Sequence, residues 1–294
     1  GLGYVHFQLK DYSSAATEFR KFVEESSGEK ERLIHDAQLR IGDSYFVTKG
    51  YFTANRFYEE AAATGGPDAD YAYFQAALCQ GLLGNNQARI NQLRSLIQQQ
   101  PESQYIDDAL YTLGKSYMQS EQNDLAIQTF QRVLDDYPDS FYARKSLMNQ
   151  GLIHYNTGAN EAALVKLREV VDRFPNSPEA NEAVAIAEKI YIDLGNVEAY
   201  ANWVKGLDFT NITDAEVDSL TFDAAYLKYT QGDCNNSLPA LNQYLEKYPT
   251  GIFHFDVHYY RAQCRYRVDD LSGALEDYEF LALAKKNKYT EESL

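Results

Sequence analysis

The chain of 294 residues is short of several things, and each shortage closes a door. It has one Trp, two Met and three Cys, namely Cys79, Cys234 and Cys264. Three cysteines cannot build a disulfide framework, and none of them has the Cys-x-x-Cys spacing of a zinc site. Positive charge is scarce: 27 Lys and Arg face 43 Asp and Glu, a formal charge of -16. That balance argues against a nucleic-acid backbone or an anionic membrane as the main partner. No run approaches 18 uncharged apolar residues, so the sequence offers no bilayer-spanning helix. Strand-like alternation is also missing. The sequence starts at Gly1 without a basic or apolar leader, which suggests a processed or cut boundary.

What is present is a core's worth of apolar material, 45% of residues, with 24 Tyr and a mean hydropathy of -0.49. A period of 37 organises it. Gly114 matches Gly151, Ala126 matches Ala163, Phe130 matches Leu167, Val133 matches Val170 and Pro138 matches Pro175. Small residues recur at Gly3, Gly42, Ala77, Gly114, Gly151, Ala225 and Ala262, with Glu188 standing in the sixth unit, where a looser helix crossing is expected. Within a unit the apolar spacing is helical: Leu110, Leu113 and Tyr117 share one face, and Ala126, Phe130, Val133 and Leu134 form a second run. Each unit is therefore two antiparallel helices. Gly84, Gly158, Gly195 and Gly232 mark the turn inside a unit, where a permissive backbone is required. Pro101, Pro138 and Pro175 end the second helix, and Ser103, Ser140 and Ser177 are placed to cap the next. Thr213 and Glu216 have capping-box spacing.

Leu113-Gly114-x2-Tyr117, Ala126-x3-Phe130 and Pro138 resemble the tetratricopeptide repeat (TPR) signature. The resemblance implies an all-α fold, a right-handed α-α superhelix of about eight helical hairpins. The units fall near 1–27, 35–66, 70–101, 107–138, 144–175, 181–212, 213–249 and 253–290, as one solenoid that would be a segment of a longer array. The period exceeds the usual 34 by three residues, which are expected to lengthen the first helix by about a turn. Departures are the absent signature Trp, and Arg89 and Ser237 at the small-residue position of the second helix. The junctions QPESQYIDDAL, YPDSFYARKSL and FPNSPEANEAV are similar to those of bacterial cell-envelope TPR proteins, of the outer-membrane assembly lipoprotein and Tol-Pal coordinator type. That likeness implies the periplasm, or the periplasmic face of the outer membrane.

Chemistry is hard to find. His254 and His258 lie i, i+4 but lack the Glu and third ligand of a zinc protease, and are expected to be packed or surface residues. Adjacent carboxylates at Glu59-Glu60, Asp107-Asp108, Asp135-Asp136 and Asp269-Asp270 point about 100° apart on a helix and are expected to be solvated. No metal, cofactor or catalytic residue is expected, and the chain is not expected to be an enzyme. Asn211-Ile-Thr213 is a weak glycosylation pattern. Cys234 and Cys264 fall on helices that could be neighbours, but a bond needs narrow geometry and the sequence weighs against it without deciding.

If the first helices line the concave face, as in the TPR family, Tyr111 and Met118, Tyr155, Phe222, Tyr226 and Tyr229, and Tyr259 and Tyr266 look into it. Tyrosine suits recognition surfaces; the competing account is that these rings cement neighbouring units. The stretch 206–223 carries Asp208, Asp214, Glu216, Asp218 and Asp223 without a Lys or Arg, and could receive a basic partner. These features imply a non-enzymatic scaffold for a protein or peptide partner. The alternative is an accessory superhelical domain of a peptidoglycan-cleaving or other envelope enzyme, and a closed α/α barrel hydrolase is a weaker third. The sequence leaves oligomeric state open.

Overall fold

The computed structural model describes residues 1–26, 31–284 and 287–294; the expected end of the first repeat at 27 lies outside them. Among the described residues the chain is all helix, with sixteen α-helices and no strand. It divides into two compact units, residues 1–157 and 158–294. The first holds α1 (Leu2–Gln8), α2 (Tyr12–Glu25), α3 (Glu31–Val47), α4 (Tyr51–Thr64), α5 (Ala69–Leu82), α6 (Asn86–Gln99), α7 (Ile106–Gln119), α8 (Asn123–Asp136) and α9 (Phe141–Asn156). The second holds α10 (Asn160–Arg173), α11 (Pro178–Leu194), α12 (Val197–Val204), α13 (Asp214–Thr230), α14 (Cys234–Lys247), α15 (His254–Arg267) and α16 (Leu271–Leu283).

The hairpins close because a small residue on one helix admits a ring from its mate. A Cβ added at Gly3, Gly42 or Gly114 would come within 2.9, 2.7 or 2.6 Å of Phe19, Tyr58 or Phe130. Each ring lies sixteen residues beyond its glycine, so the 37-residue period carries a packing unit and not merely a composition bias. In the first unit Ala77, Leu93, Leu110, Leu113, Phe130 and Val133 join one buried cluster. In the second, Phe222, Ala225, Leu241, Tyr244 and Val257 form another.

The turn glycines behave as expected: Gly84, Gly158, Gly195 and Gly232 have φ between 70° and 79°. Four other turns inside hairpins reach the same region without glycine, through Lys10, Lys49, Glu121 and Asp269, as does Asn176 between two hairpins. Glu121 stands 37 residues after Gly84, and Asp269 37 after Gly232, so the backbone keeps its register where the sequence signal lapses.

The capping serines split into two kinds. Ser140, Ser177 and Thr213 are N-caps with extended backbone, and their oxygens accept from the amides of Tyr142, Ala180 and Glu216. The helices they start, α9, α11 and α13, have 16 or 17 residues. Ser103 does not cap α7; its Oγ accepts from the Tyr105 amide at 3.0 Å, and the helix begins only at Ile106. Hence α7 has 14 residues, as do α5 and α15, and from α5 onward the expected extra turn is present only where a true N-cap starts the helix early. In the sixth hairpin Glu188 receives the Tyr200 hydroxyl at 2.8 Å, and α12 is cut to eight residues.

Candidate recognition surfaces

The junction between successive hairpins builds a recurring aromatic step. The ring that opens one first helix stacks on a ring of the preceding first helix: Tyr105 on Phe74 (5.6 Å between centroids), Tyr142 on Tyr111 (4.6 Å) and Phe253 on Phe222 (4.3 Å). Tyr289 stacks on Tyr259 in the same way at 4.2 Å. The separations are 31, 31, 31 and 30 residues. Carboxylates one turn earlier fasten the step. Ser103 and Ser140 donate to Asp70 and Asp107 at 2.7 Å, Tyr142 donates to Asp108 at 2.6 Å, and Tyr289 donates to Asp256 at 2.8 Å. The bond to Asp108, followed by burial, raises the Tyr142 pKa.

The pair Asp107-Asp108 is thus half-buried and engaged, against the expectation of solvated surface. Asp269 and Asp270 are exposed as expected, and Asp270 caps α16 by accepting from the Gly273 amide. The signal that could have found these steps is the aromatic four residues after Pro101, Pro138 and Pro249.

Phe222 does not face a partner groove: it is 8% exposed and belongs to the second unit's core. Tyr226 and Tyr229 sit half-buried on α13, both packed at a tilt against Tyr260 of α15, with centroids at 4.8 and 4.6 Å. The sequence reading chose Tyr259 and passed over Tyr260, which is the centre of the cluster. Tyr259 lies under Tyr289, and its hydroxyl bond to Glu292, with burial, pushes its pKa up to about 12. Tyr266 is 64% exposed, so it cements nothing. Arg267 lies over the Tyr229 ring at 5.1 Å and completes the rim.

In the first unit Tyr111 and Met118 line a groove of about 790 Å³, together with Phe74, Leu78, Arg89, Lys115 and Tyr142. Tyr155 is half-buried on α9 and does not line it.

The acidic stretch is less free than its composition implies. Asp218 is 6% exposed, accepts from the Tyr244 hydroxyl and takes the Ile252 amide at 2.9 Å. Glu216 completes the capping box with Thr213, whose backbone and then side-chain bonds lower its pKa. Asp214 pairs with Lys205 at 3.4 Å. Asp208 and Asp223 remain exposed.

Cys234 of α14 and Cys264 of α15 form a disulfide, with Cα atoms 5.2 Å apart. The sequence weighed against this bond because it could not place two helices to a fraction of an ångström. The histidine pair divides: His254 bonds the Gly251 carbonyl, and His258 contacts Asp277. Among the described residues no group of three or more His, Cys, Asp or Glu could hold a metal ion. No described helix is long and apolar enough to cross a membrane.

A family model described as tetratricopeptide repeat matches residues 108–140 and 145–177. Two of the repeats therefore match the TPR family. Helical hairpins of this kind are suited to protein–protein contact. A TPR protein from Parabacteroides merdae is 16% identical, with a TM-score of 0.51 over 83% of this chain and 90% of its own. The Naa15/Naa10 structure bound to HypK-THB is 14% identical, with a TM-score of 0.50 over 84% of this chain and 36% of the other. MamA is 17% identical over 59% of this chain and 94% of its own, at a TM-score of 0.49. No curated protein matches in sequence. At these identities the likeness to the two larger superpositions is one of TPR fold.

Proposed function

We propose that the chain is a non-enzymatic scaffold that holds a protein partner in the Gram-negative envelope, on the periplasmic side. The observation that carries the scaffold reading is the tyrosine cluster on α13 and α15, together with the open ring of Tyr266 on α15. Binding energy at interfaces concentrates in such rings, which combine apolar area, a hydroxyl and little conformational freedom to lose. The disulfide between α14 and α15 supports an oxidising compartment, and the junction sequences resemble envelope TPR proteins.

The test is affinity capture from an envelope extract, followed by titration of the captured protein against Tyr229→Ala and Tyr266→Ala. A fall in affinity at unchanged melting temperature supports the surface. Unchanged affinity for both variants, or a loss that only follows unfolding, removes it. A thiol titration of protein taken directly from cells addresses the compartment: two reactive thiols besides Cys79 under denaturing conditions would place the chain in a reducing environment and end the periplasmic reading.

A further inference from the structure

Four hairpins of the first unit share one position on their second helix, and three fill it with a buried alanine: Ala15, Ala54 and Ala126. The fourth has Arg89. A guanidinium at a site meant for a methyl group is costly unless charge is wanted there. The facing helix makes room for it. Gly81 stands where later hairpins have Met118 and Tyr155, and a Cβ at Gly81 would lie 2.9 Å from both Cδ and Nη1 of Arg89. Two coupled departures from the repeat therefore steer one cation into the groove of α5, α7 and α9.

Among the described residues no carboxylate forms an ion pair with that cation. Its Nη2 donates to Asn86 at 2.6 Å and Gln119 at 2.7 Å, both neutral, and its buried Nε has no acceptor. Burial lowers its pKa. The groove's other charges are Lys115, exposed on α7, and Asp108, whose carboxylate already accepts from Tyr142. In a chain with a formal charge of -16, this groove presents two cations against one engaged anion. Its walls are the rings of Phe74, Tyr111 and Tyr142, contributed by three successive first helices.

We infer that this groove binds an extended acidic peptide segment of a protein partner, with one carboxylate seated on Arg89 and a neighbouring apolar side chain against Tyr111. The inference rests on the scaffold reading and names a partner chemistry for it. A peptide fits better than a small anion because the cation lies at one edge of an aromatic trough of about 790 Å³, a volume in the range of sites that bury whole ligands and not single charges. A carboxylate on the guanidinium gains a charge-assisted bond in a partly dry site, and the rings gain apolar contact.

The test is fluorescence anisotropy on the full chain with a labelled hexapeptide of alternating Glu and Phe, beside matched Gln-Phe and Lys-Phe peptides. The Glu-Phe peptide should bind at least tenfold more tightly than either control. Arg89→Ala installs the residue of the other three hairpins, so it should fold with an unchanged or higher melting temperature while weakening the Glu-Phe peptide about tenfold or more. Arg89→Lys should fall between. Equal affinity for the Glu-Phe and Gln-Phe peptides overturns the inference, as does full binding by Arg89→Ala. A drop in melting temperature in Arg89→Ala at unchanged peptide affinity would make Arg89 a structural strut and also overturn it. Competition by millimolar citrate or phosphate as effective as unlabelled peptide would assign a small-anion site instead. None of these outcomes touches the Tyr229 and Tyr266 variants, so the scaffold reading stands or falls separately.

Discussion

The fourth and eighth hairpins occupy the same register 148 residues apart and solve the same packing problem with opposite chemistry. In the fourth, Leu110, Leu113 and Tyr117 of α7 share a buried cluster with Phe130 of α8, and the neighbouring Thr129 is satisfied locally by the Leu125 carbonyl at 2.7 Å. In the eighth, those three α7 positions become His258, Arg261 and Arg265, and Thr129 becomes Asp277, 1% exposed. Arg261 reaches the carboxylate through Nη2 at 2.6 Å, Arg265 through Nη1 at 2.9 Å, and His258 through Nδ1 at 2.6 Å. Apolar positions have been exchanged for buried ionic ones in a helical hairpin of the same register. The helical pairing is therefore set by small residues and turns, and the hairpin interior is free to vary provided that its charges are matched.

The largest expected effect follows from unmatching them. Asp277→Ala leaves two arginines facing each other with little solvent, and removing one member of a buried ionic group costs about 3 to 5 kcal/mol. The arginine and histidine side chains keep 16 to 18% exposure, so about 2 to 4 kcal/mol is expected. Thr129→Ala, at the matching place, should cost about 1 kcal/mol. Hydrogen exchange resolved to α15 and α16, and to α7 and α8, reads the two losses separately. The sign with pH also distinguishes the hairpins. Burial works to raise the Asp277 pKa, but its bonds to His258 and Arg261 outweigh that and hold it below the ordinary 3.8. A carboxylate depressed in the folded state contributes stability above its unfolded pKa and loses it as pH falls. Protection of α15 and α16 should accordingly fall below about pH 4, and Asp277→Asn should flatten that dependence.

The sequence made the helices legible because the period repeats small residues, rings and prolines whose roles are local. The turns at Gly84, Gly158, Gly195 and Gly232 and the capping box at Thr213 follow from the same short-range logic. The ionic hairpin was not legible, since His258 and Arg261 show only as departures from a motif until Asp277 is brought against them from nineteen and sixteen residues away. Phe222 was placed on the wrong face for a related reason. Helical spacing tells which residues share a stripe, but the stripe of a first helix is divided between the step to the next hairpin and the open groove. Phe222 and Tyr259 take the step, Tyr111 takes it and also lines the groove, and Met118 and Tyr266 take no part in it.

A second, smaller effect of opposite sign sharpens the comparison. Transferring the fourth hairpin's solution to the eighth, by His258→Leu, Arg261→Leu, Arg265→Tyr and Asp277→Thr together, removes four desolvated polar groups and restores a packed interior. Replacing buried ionic groups with well-packed apolar ones is often neutral or stabilising by about 1 to 4 kcal/mol. A higher denaturation midpoint with preserved helicity is expected. A destabilised quadruple variant would mean that the ionic cluster specifies the hairpin and does not merely fill it.

The smallest effect is that of Tyr142→Phe at a junction step, which both units build from a stacked ring and a hydroxyl on a carboxylate. Tyr142→Phe keeps the stack on Tyr111 and deletes the bond to Asp108, whereas Tyr142→Ala deletes both. The phenol bond should contribute about 1 to 2 kcal/mol, at the upper end of neutral bonds because its acceptor is charged. The stack and its buried area should contribute about 2 kcal/mol more. Asp108 is half-buried and can recruit water when the hydroxyl is lost, which keeps the cost of Tyr142→Phe modest. Denaturant titration of the two variants separates these contributions. If Tyr142→Phe proved as damaging as Tyr142→Ala, the carboxylate hook and not the aromatic step would hold successive hairpins together, and the parallel with Tyr289, Tyr259 and Asp256 would have to be redrawn around the acid.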